Sequence, residues 1–378
     1  MSKTAVISLV ATFLACIASR SLATEAVELT SSNSVAAIYV FGDSIVDVGN
    51  NFFLPPPAPR ANSPYGIDYP GFTGRFTNGY NIADLIAKRL GFTQSPPAYL
   101  SLTPLTSFDL LRCRVGASYA SGGSGILSTT GNGSLTMEKQ IMLFNKTKLR
   151  MWCGFNKKVD DVLSKSLFLI SAGGNDFSAF SEMGKGPEDA PAYIASMVST
   201  YVKHINALYK LGARRVGILD VPAIGCTPGS RVPMANSGCN DAANSLAQNF
   251  NQFLRAAVAK AVAASMPDMK YSIGSTYNLL MDLIANPLIA GLRVVERACC
   301  GWGRLNAEVM CSRPNTTYCS DREEYMFWDM LHPTQTTYER GVVAIFYGSE
   351  KYADPINFAQ LIASINGGSA VKPDVYSI

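Results

Sequence analysis

The sequence predicts an α/β fold built on a parallel β-sheet, and two observations carry that expectation. Five short apolar runs, at 36–40, 112–117, 167–171, 215–219 and 270–273, mostly lack the alternation of a half-exposed strand. Strands buried on both faces of a parallel sheet read this way. Between the runs lie helical patterns, and alternation of strand with helix implies parallel strands joined by right-handed crossovers.

Residues 1–23 read as a secretory signal. Lys3 supplies the positive start, Ala5 to Ala18 is apolar, and Ser21-Leu22-Ala23 offers small residues for cleavage. The apolar run falls short of the roughly 20 residues a membrane span needs. A single domain is expected over 24–365.

Its first strand, 36–40, runs into Phe41-Gly42-Asp43-Ser44. The Pro-rich stretch 55–59 reads as a surface loop, and 50–61 is expected to border a site entrance. A helix at 81–90 places Ile82, Leu85, Ile86 and Leu90 on one face, with Gly91 ending it. The second strand leads into Ser121-Gly122-Gly123-Ser124-Gly125, the third into Gly173-Gly174-Asn175-Asp176. Helices at 194–211 and 242–264 follow. The latter stacks Leu246, Phe250, Phe253, Leu254 and Val258. A last helix spans 335–347, with Thr334 as N-cap after Pro333. The stretch 366–378 reads as a loose tail.

Composition narrows the class. Of 378 residues, 48% are hydrophobic, ample for a large core, and the net charge is +4. No basic tract interleaves with aromatics, so nucleic acid is not an expected partner. Beyond Cys16, inside the signal, eight cysteines remain, an even number that suits disulfides in an oxidising compartment. Cys226 with Cys239 closes a short loop. Cys299, Cys300, Cys311 and Cys319 are expected to pair among themselves, which leaves Cys113 for Cys153. The rival is a zinc site, disfavoured because no C-x-x-C pair exists. Sequons at Asn132, Asn145 and Asn315 suit a glycosylating, secretory route to the cell exterior.

The chemistry gathers at strand ends. In open α/β sheets, sites form in the crevice beyond the carboxyl ends of the strands. Ser44, Gly122 and Asn175 all fall there. A serine hydroxyl is a poor nucleophile until a base takes its proton. The chain holds two histidines, His204 and His332. His204 lies mid-helix without a carboxylate one turn away, and reads as a helix-surface residue. His332 precedes Pro333 and follows Asp329 by three residues, so Asp329 can fix its tautomer while its other nitrogen faces Ser44. Taken singly, Asp43-Ser44 also reads as a turn, and Asp-x-x-His as a local hydrogen bond. The N–H groups of Ser44 and Gly122 and the amide of Asn175 are candidate donors to an oxyanion. The Ser121–Gly125 cluster lacks the lysine of a phosphate-binding loop.

These segments, together with Gly74-Arg75-Phe76-Thr77-Asn78-Gly79 and Phe327-Trp328-Asp329-Met330-Leu331-His332-Pro333-Thr334, resemble the plant GDSL esterase/lipases of the SGNH hydrolase superfamily. They occur in family order. The resemblance implies a three-layer α/β/α fold with a flavodoxin-like parallel five-stranded sheet. It implies a serine hydrolase that uses no metal or cofactor. It assigns Ser44 as nucleophile, Asp329 and His332 as its partners, and Ser44, Gly122 and Asn175 as the oxyanion hole. Two positions depart from the family pattern: Ser118 stands where Asn is usual, and Ile45 where Leu is common.

The expected activity is therefore hydrolysis of acyl esters, in lipids or acetylated wall polysaccharides, by a secreted monomer without integral membrane association. An acyltransferase using the same acyl-enzyme is an open alternative, as is a non-catalytic wall or lipid binder.

Overall fold

The first strand, β1 (Ile38–Gly42), is buried along its whole length and sorts its side chains by parity. Tyr39 and Phe41 join one core, Ile38 and Val40 the other. Such two-sided burial is what a central parallel strand requires. Residues 35–71, 73–312 and 314–365 are described in this computed structural model. The expected signal (1–23) and tail (366–378) lie outside them.

Four further parallel strands follow: β2 (Ala117–Ser118), β3 (Leu167–Ser171), β4 (Arg215–Leu219) and β5 (Lys270–Gly274). Their spatial order is 2-1-3-4-5, the flavodoxin-like arrangement. The sheet exceeds the expected five strands by one. Ala353–Asp354 adds antiparallel to β5 at the edge.

Helices cover both faces. On one lie α2 (Met137–Arg150), α4 (Ala190–Lys210) and α5 (Asp241–Ser265), which contribute Phe144, Met197 and Phe250 to the core around Tyr39 and Phe41. On the other lie α1 (Ile82–Arg89), α7 (Gln335–Tyr347) and α8 (Phe358–Ala363), with Ile86, Ile345 and Phe358 against Ile38 and Val40. Helices α3 (Gly174–Glu182) and α6 (Thr276–Ala285) complete the set used below. Thr334 caps α7 through Thr337 N–H, as expected, and Asn81 and Asp84 form a capping box on α1.

Two expectations are corrected. The second strand was expected over 112–117 but begins only at Ala117. Arg112 caps a short helix, and Cys113, bonded to Cys153, has φ 60, outside any strand. His204 was expected on the helix surface but is buried, its Nε2 donating to the Ile126 carbonyl at 3.0 Å.

All eight cysteines among the described residues are bridged: Cys113–Cys153, Cys226–Cys239, Cys299–Cys319 and Cys300–Cys311. That closes the zinc alternative for these thiols. Among the described residues, no helix is long and apolar enough to cross a membrane.

Candidate active site

In this strand order the chain leaves β1 toward β2 on one side, while β3 lies on the other. The loops after β1 and β3 therefore diverge and open a crevice. Ser44 stands two residues beyond Gly42, at the end of β1, and Asn175 opens α3 just after β3.

The turn that presents Ser44 is pinned from several directions. Gly42 has φ 132, and a Cβ there would lie 1.8 Å from the Ser171 carbonyl oxygen, so only glycine fits. Gln140 of α2 accepts from Gly42 N–H at 2.8 Å and donates to its carbonyl at 2.9 Å. Asp43 N–H donates to Ser171 O at 2.9 Å.

His332 and Asp329 arrive on a tight loop between the strand Tyr325–Phe327 and α7. Trp328 N–H closes it on the His332 carbonyl at 2.8 Å. Asp329 Oδ1 accepts the N–H groups of Leu331 and His332, both at 2.7 Å. Its Oδ2 lies 2.7 Å from His332 Nδ1. An ionised carboxylate can only accept, so Nδ1 carries the proton and Nε2 is the acceptor. Nε2 stands 2.8 Å from Ser44 Oγ. Burial acts to raise the Asp329 pKa. The charge of His332 and hydrogen bonds from His332 and Tyr65 outweigh it and hold the carboxyl below its ordinary value.

Asn175 Nδ2 donates to Ser124 O at 2.9 Å, which leaves its second amide hydrogen over. Among the described residues, none accepts the Ser44 N–H. Gly122 differs: its N–H donates to Asp47 Oδ2 at 2.9 Å, so this expected donor is already engaged. Asp176 anchors the neighbouring loop through Ile126 N–H, Leu127 N–H and the Thr130 hydroxyl.

A cavity of about 190 Å³ adjoins Ser44 and His332. Its walls come from α3, the chain after β4 and the start of α5, with Leu331 at one side. The segment 50–61 was expected at the entrance but lines none of this cavity. Its role is underneath. Asn50 Nδ2 holds the carbonyls of Ser118 and Ala120, and Asn51 Nδ2 holds that of Gly122.

A model of the GDSL-like lipase/acylhydrolase family matches residues 38–342. The chain belongs to this family. The GDSL esterase/lipase LTL1 of Arabidopsis thaliana is 37% identical over 336 residues, covering 85% of this chain and 90% of that protein. The GDSL esterase/lipase APG of the same plant is 34% identical, covering 82% and 90%. Among solved structures, a lipase from a goat rumen metagenome overlays with TM-score 0.34 at 11% identity, covering 81% of this chain and 93% of that one. The GDSL membership makes this chain an ester-hydrolysing enzyme with the GDSL/SGNH hydrolase fold.

Within this GDSL chain, sequence reasoning missed several residues. Tyr65 donates its hydroxyl to Asp329 Oδ2 at 2.6 Å. The Phe76 ring lies 5.3 Å from that of His332. Arg75 beside it is locked onto Asp84 of α1 by bonds of 2.6 and 2.8 Å. The departure at Ser118 leaves the Gly122 loop supported, because Asp47, Asn50 and Asn51 carry it.

Proposed function

We propose that this chain is a serine esterase acting through Ser44, His332 and Asp329 on carboxylic esters of lipids or acetylated polysaccharides. The observation that carries the reading is the Ser44 Oγ–His332 Nε2 distance of 2.8 Å with Nδ1 held on Asp329. In the acylation step His332 takes the Ser44 proton as Oγ bonds to the ester carbonyl carbon. The tetrahedral oxyanion is met by the Ser44 N–H and the free amide hydrogen of Asn175. Gly122 joins as a donor by exchanging Asp47 Oδ2 for the oxyanion. His332 then gives its proton to the departing alcohol. Water attacks the acyl-enzyme by the same proton path and releases the acid.

The small cavity supports a short acyl group at the reacting end. Four disulfides and exposed sequon asparagines at 132 and 315 support secretion as a glycoprotein. A fluorophosphonate probe tests the assignment. Covalent labelling at Ser44 that disappears in Ser44→Ala is expected. Equal labelling of the variant overturns the nucleophile.

A further inference from the structure

Far from the Ser44 crevice, two segments joined by Cys113–Cys153 build an exposed patch that the ester chemistry does not use. They are 105–115, which leads into β2, and 142–158, which ends α2 and runs toward β3. Both meet the sheet at the amino ends of its strands, whereas Ser44 and Asn175 follow carboxyl ends. The patch therefore lies on the opposite edge of the sheet from the candidate active site.

Its surface is apolar to an unusual degree. Phe155 is 96% exposed, Leu105 85% and Leu149 78%. Trp152 packs edge-on to Phe155 at 5.2 Å, and the Arg112 guanidinium lies 4.1 Å from the Trp152 ring. Trp152 N–H on Leu111 O, at 2.8 Å, ties the segments into one surface.

Its charge is equally one-sided. The two segments hold seven Lys and Arg against one acid, with Asp160 and Asp161 following directly, in a chain with 32 against 28. Arg114 pairs with Asp109 and Lys148 with Asp160. Arg150, Lys157 and Lys158 have no carboxylate partner among the described residues. Exposed apolar side chains ringed by unpaired cations match the chemistry of an anionic lipid interface, where the rings and leucines enter the acyl boundary and the cations meet headgroups. A polysaccharide uses cations and aromatic faces but has no use for protruding aliphatic leucines.

We propose that this patch docks the protein on an anionic lipid surface with the Ser44 crevice facing away from it. The docked enzyme then works on esters beyond the surface that holds it.

The test is vesicle co-sedimentation of the native secreted chain, with Asn145→Gln beside it. Asn145 shares the exposed face of α2 with Met142 and Leu149, so docking requires that its sequon carry no glycan. Sedimentation with phosphatidylcholine–phosphatidylglycerol vesicles but not phosphatidylcholine alone is expected, weakening as salt rises. Adding Phe155→Ser and Leu149→Ser is expected to lower affinity roughly tenfold or more, with thermal unfolding unchanged. Hydrolysis of a soluble ester is expected to proceed equally with and without vesicles. Four results overturn the proposal: a glycan on Asn145 of the secreted protein, no sedimentation with anionic vesicles, equal sedimentation of the Phe155/Leu149 variant, or capture by polygalacturonate in preference to vesicles.

Discussion

Tyr65 Oη and Asp329 Oδ2 lie 2.6 Å apart, and that same oxygen accepts His332 Nδ1 at 2.7 Å. Burial and the neighbouring Asp329 charge push the Tyr65 hydroxyl well above its ordinary pKa, so it stays a donor. Two donors thus share one carboxylate oxygen. Tyr65→Phe removes one, and the carboxylate that fixes the His332 tautomer loses part of its orientation. The value of kcat on a short ester is expected to fall about tenfold with KM held. An unchanged kcat would reduce Tyr65 to packing.

Asn175→Ala tests the oxyanion assignment. Loss of one such donor costs roughly 10²–10³ in kcat with little change in KM, because the charge it meets exists only in the transition state. Steady-state kinetics on one soluble ester separate the two parameters. A rise in KM at constant kcat would move Asn175 to ground-state binding.

Gly122→Ala reaches the same site by a steric route. A Cβ at Gly122 would lie 2.4 Å from Phe76 Cε2, and the Phe76 ring packs tilted against His332. The ring must shift, and the imidazole beside it loses its support. A fall in kcat of at least about tenfold is expected, since small misplacements of a catalytic group are costly. Gly122→Ala together with Phe76→Leu should recover part of it, measured as kcat on the same ester. No recovery would separate Gly122 from Phe76.

How far the sequence alone reached depended on range. The strands at 167–171 and 215–219 and the helix at 335–347 were legible because their signals are local: buried apolar runs, and a cap at Thr334. The meeting of Ser44, Asp329 and His332 was legible because histidine is scarce and Asp329 sits three residues from His332. Tyr65 was not, since 264 residues separate it from Asp329 and nothing in its own neighbourhood marks it. His204 read as surface because its partner, the Ile126 carbonyl, lies 78 residues away. The shortened second strand followed from a disulfide whose backbone geometry no periodicity reveals. Gly122 was read as a free donor because Asp47, 75 residues away, gave no sign of reaching it.

The Cys299–Cys319 and Cys300–Cys311 bridges are expected to matter for the acid–base loop. Cys299 N–H donates to Phe327 O at 3.0 Å and Cys300 N–H to Trp328 O, one residue before Asp329. Both bridges share a core with Tyr65, Phe76 and Trp328. Cys300→Ser with Cys311→Ser is expected to cost about 2–4 kcal/mol of stability. It should also lower kcat at temperatures where the protein is still folded. Calorimetry paired with rates below the transition checks this. Lost stability with an unchanged kcat would confine the bridges to folding.

The last prediction concerns Asp43, which precedes Ser44 and is almost fully buried. Its carboxyl accepts one backbone bond, from Ile45 N–H at 3.1 Å. Burial therefore prevails over that bond and over the nearby His332 charge, and the pKa is pushed up to about 7. In the unfolded chain the same group titrates near 3.8. Between these values the folded protein holds a proton that the unfolded chain has released. Stability must then fall as pH rises through this window, by the linkage between bound protons and folding. A higher Tm is expected at pH 5 than at pH 7.5. Asp43→Asn cannot titrate and should reduce that slope while keeping the buried shape, leaving the part due to Asp47, whose carboxyl burial also pushes up, to about 6. Thermal unfolding of both proteins across the range decides it, and an equal slope in the variant would place the pH sensitivity elsewhere.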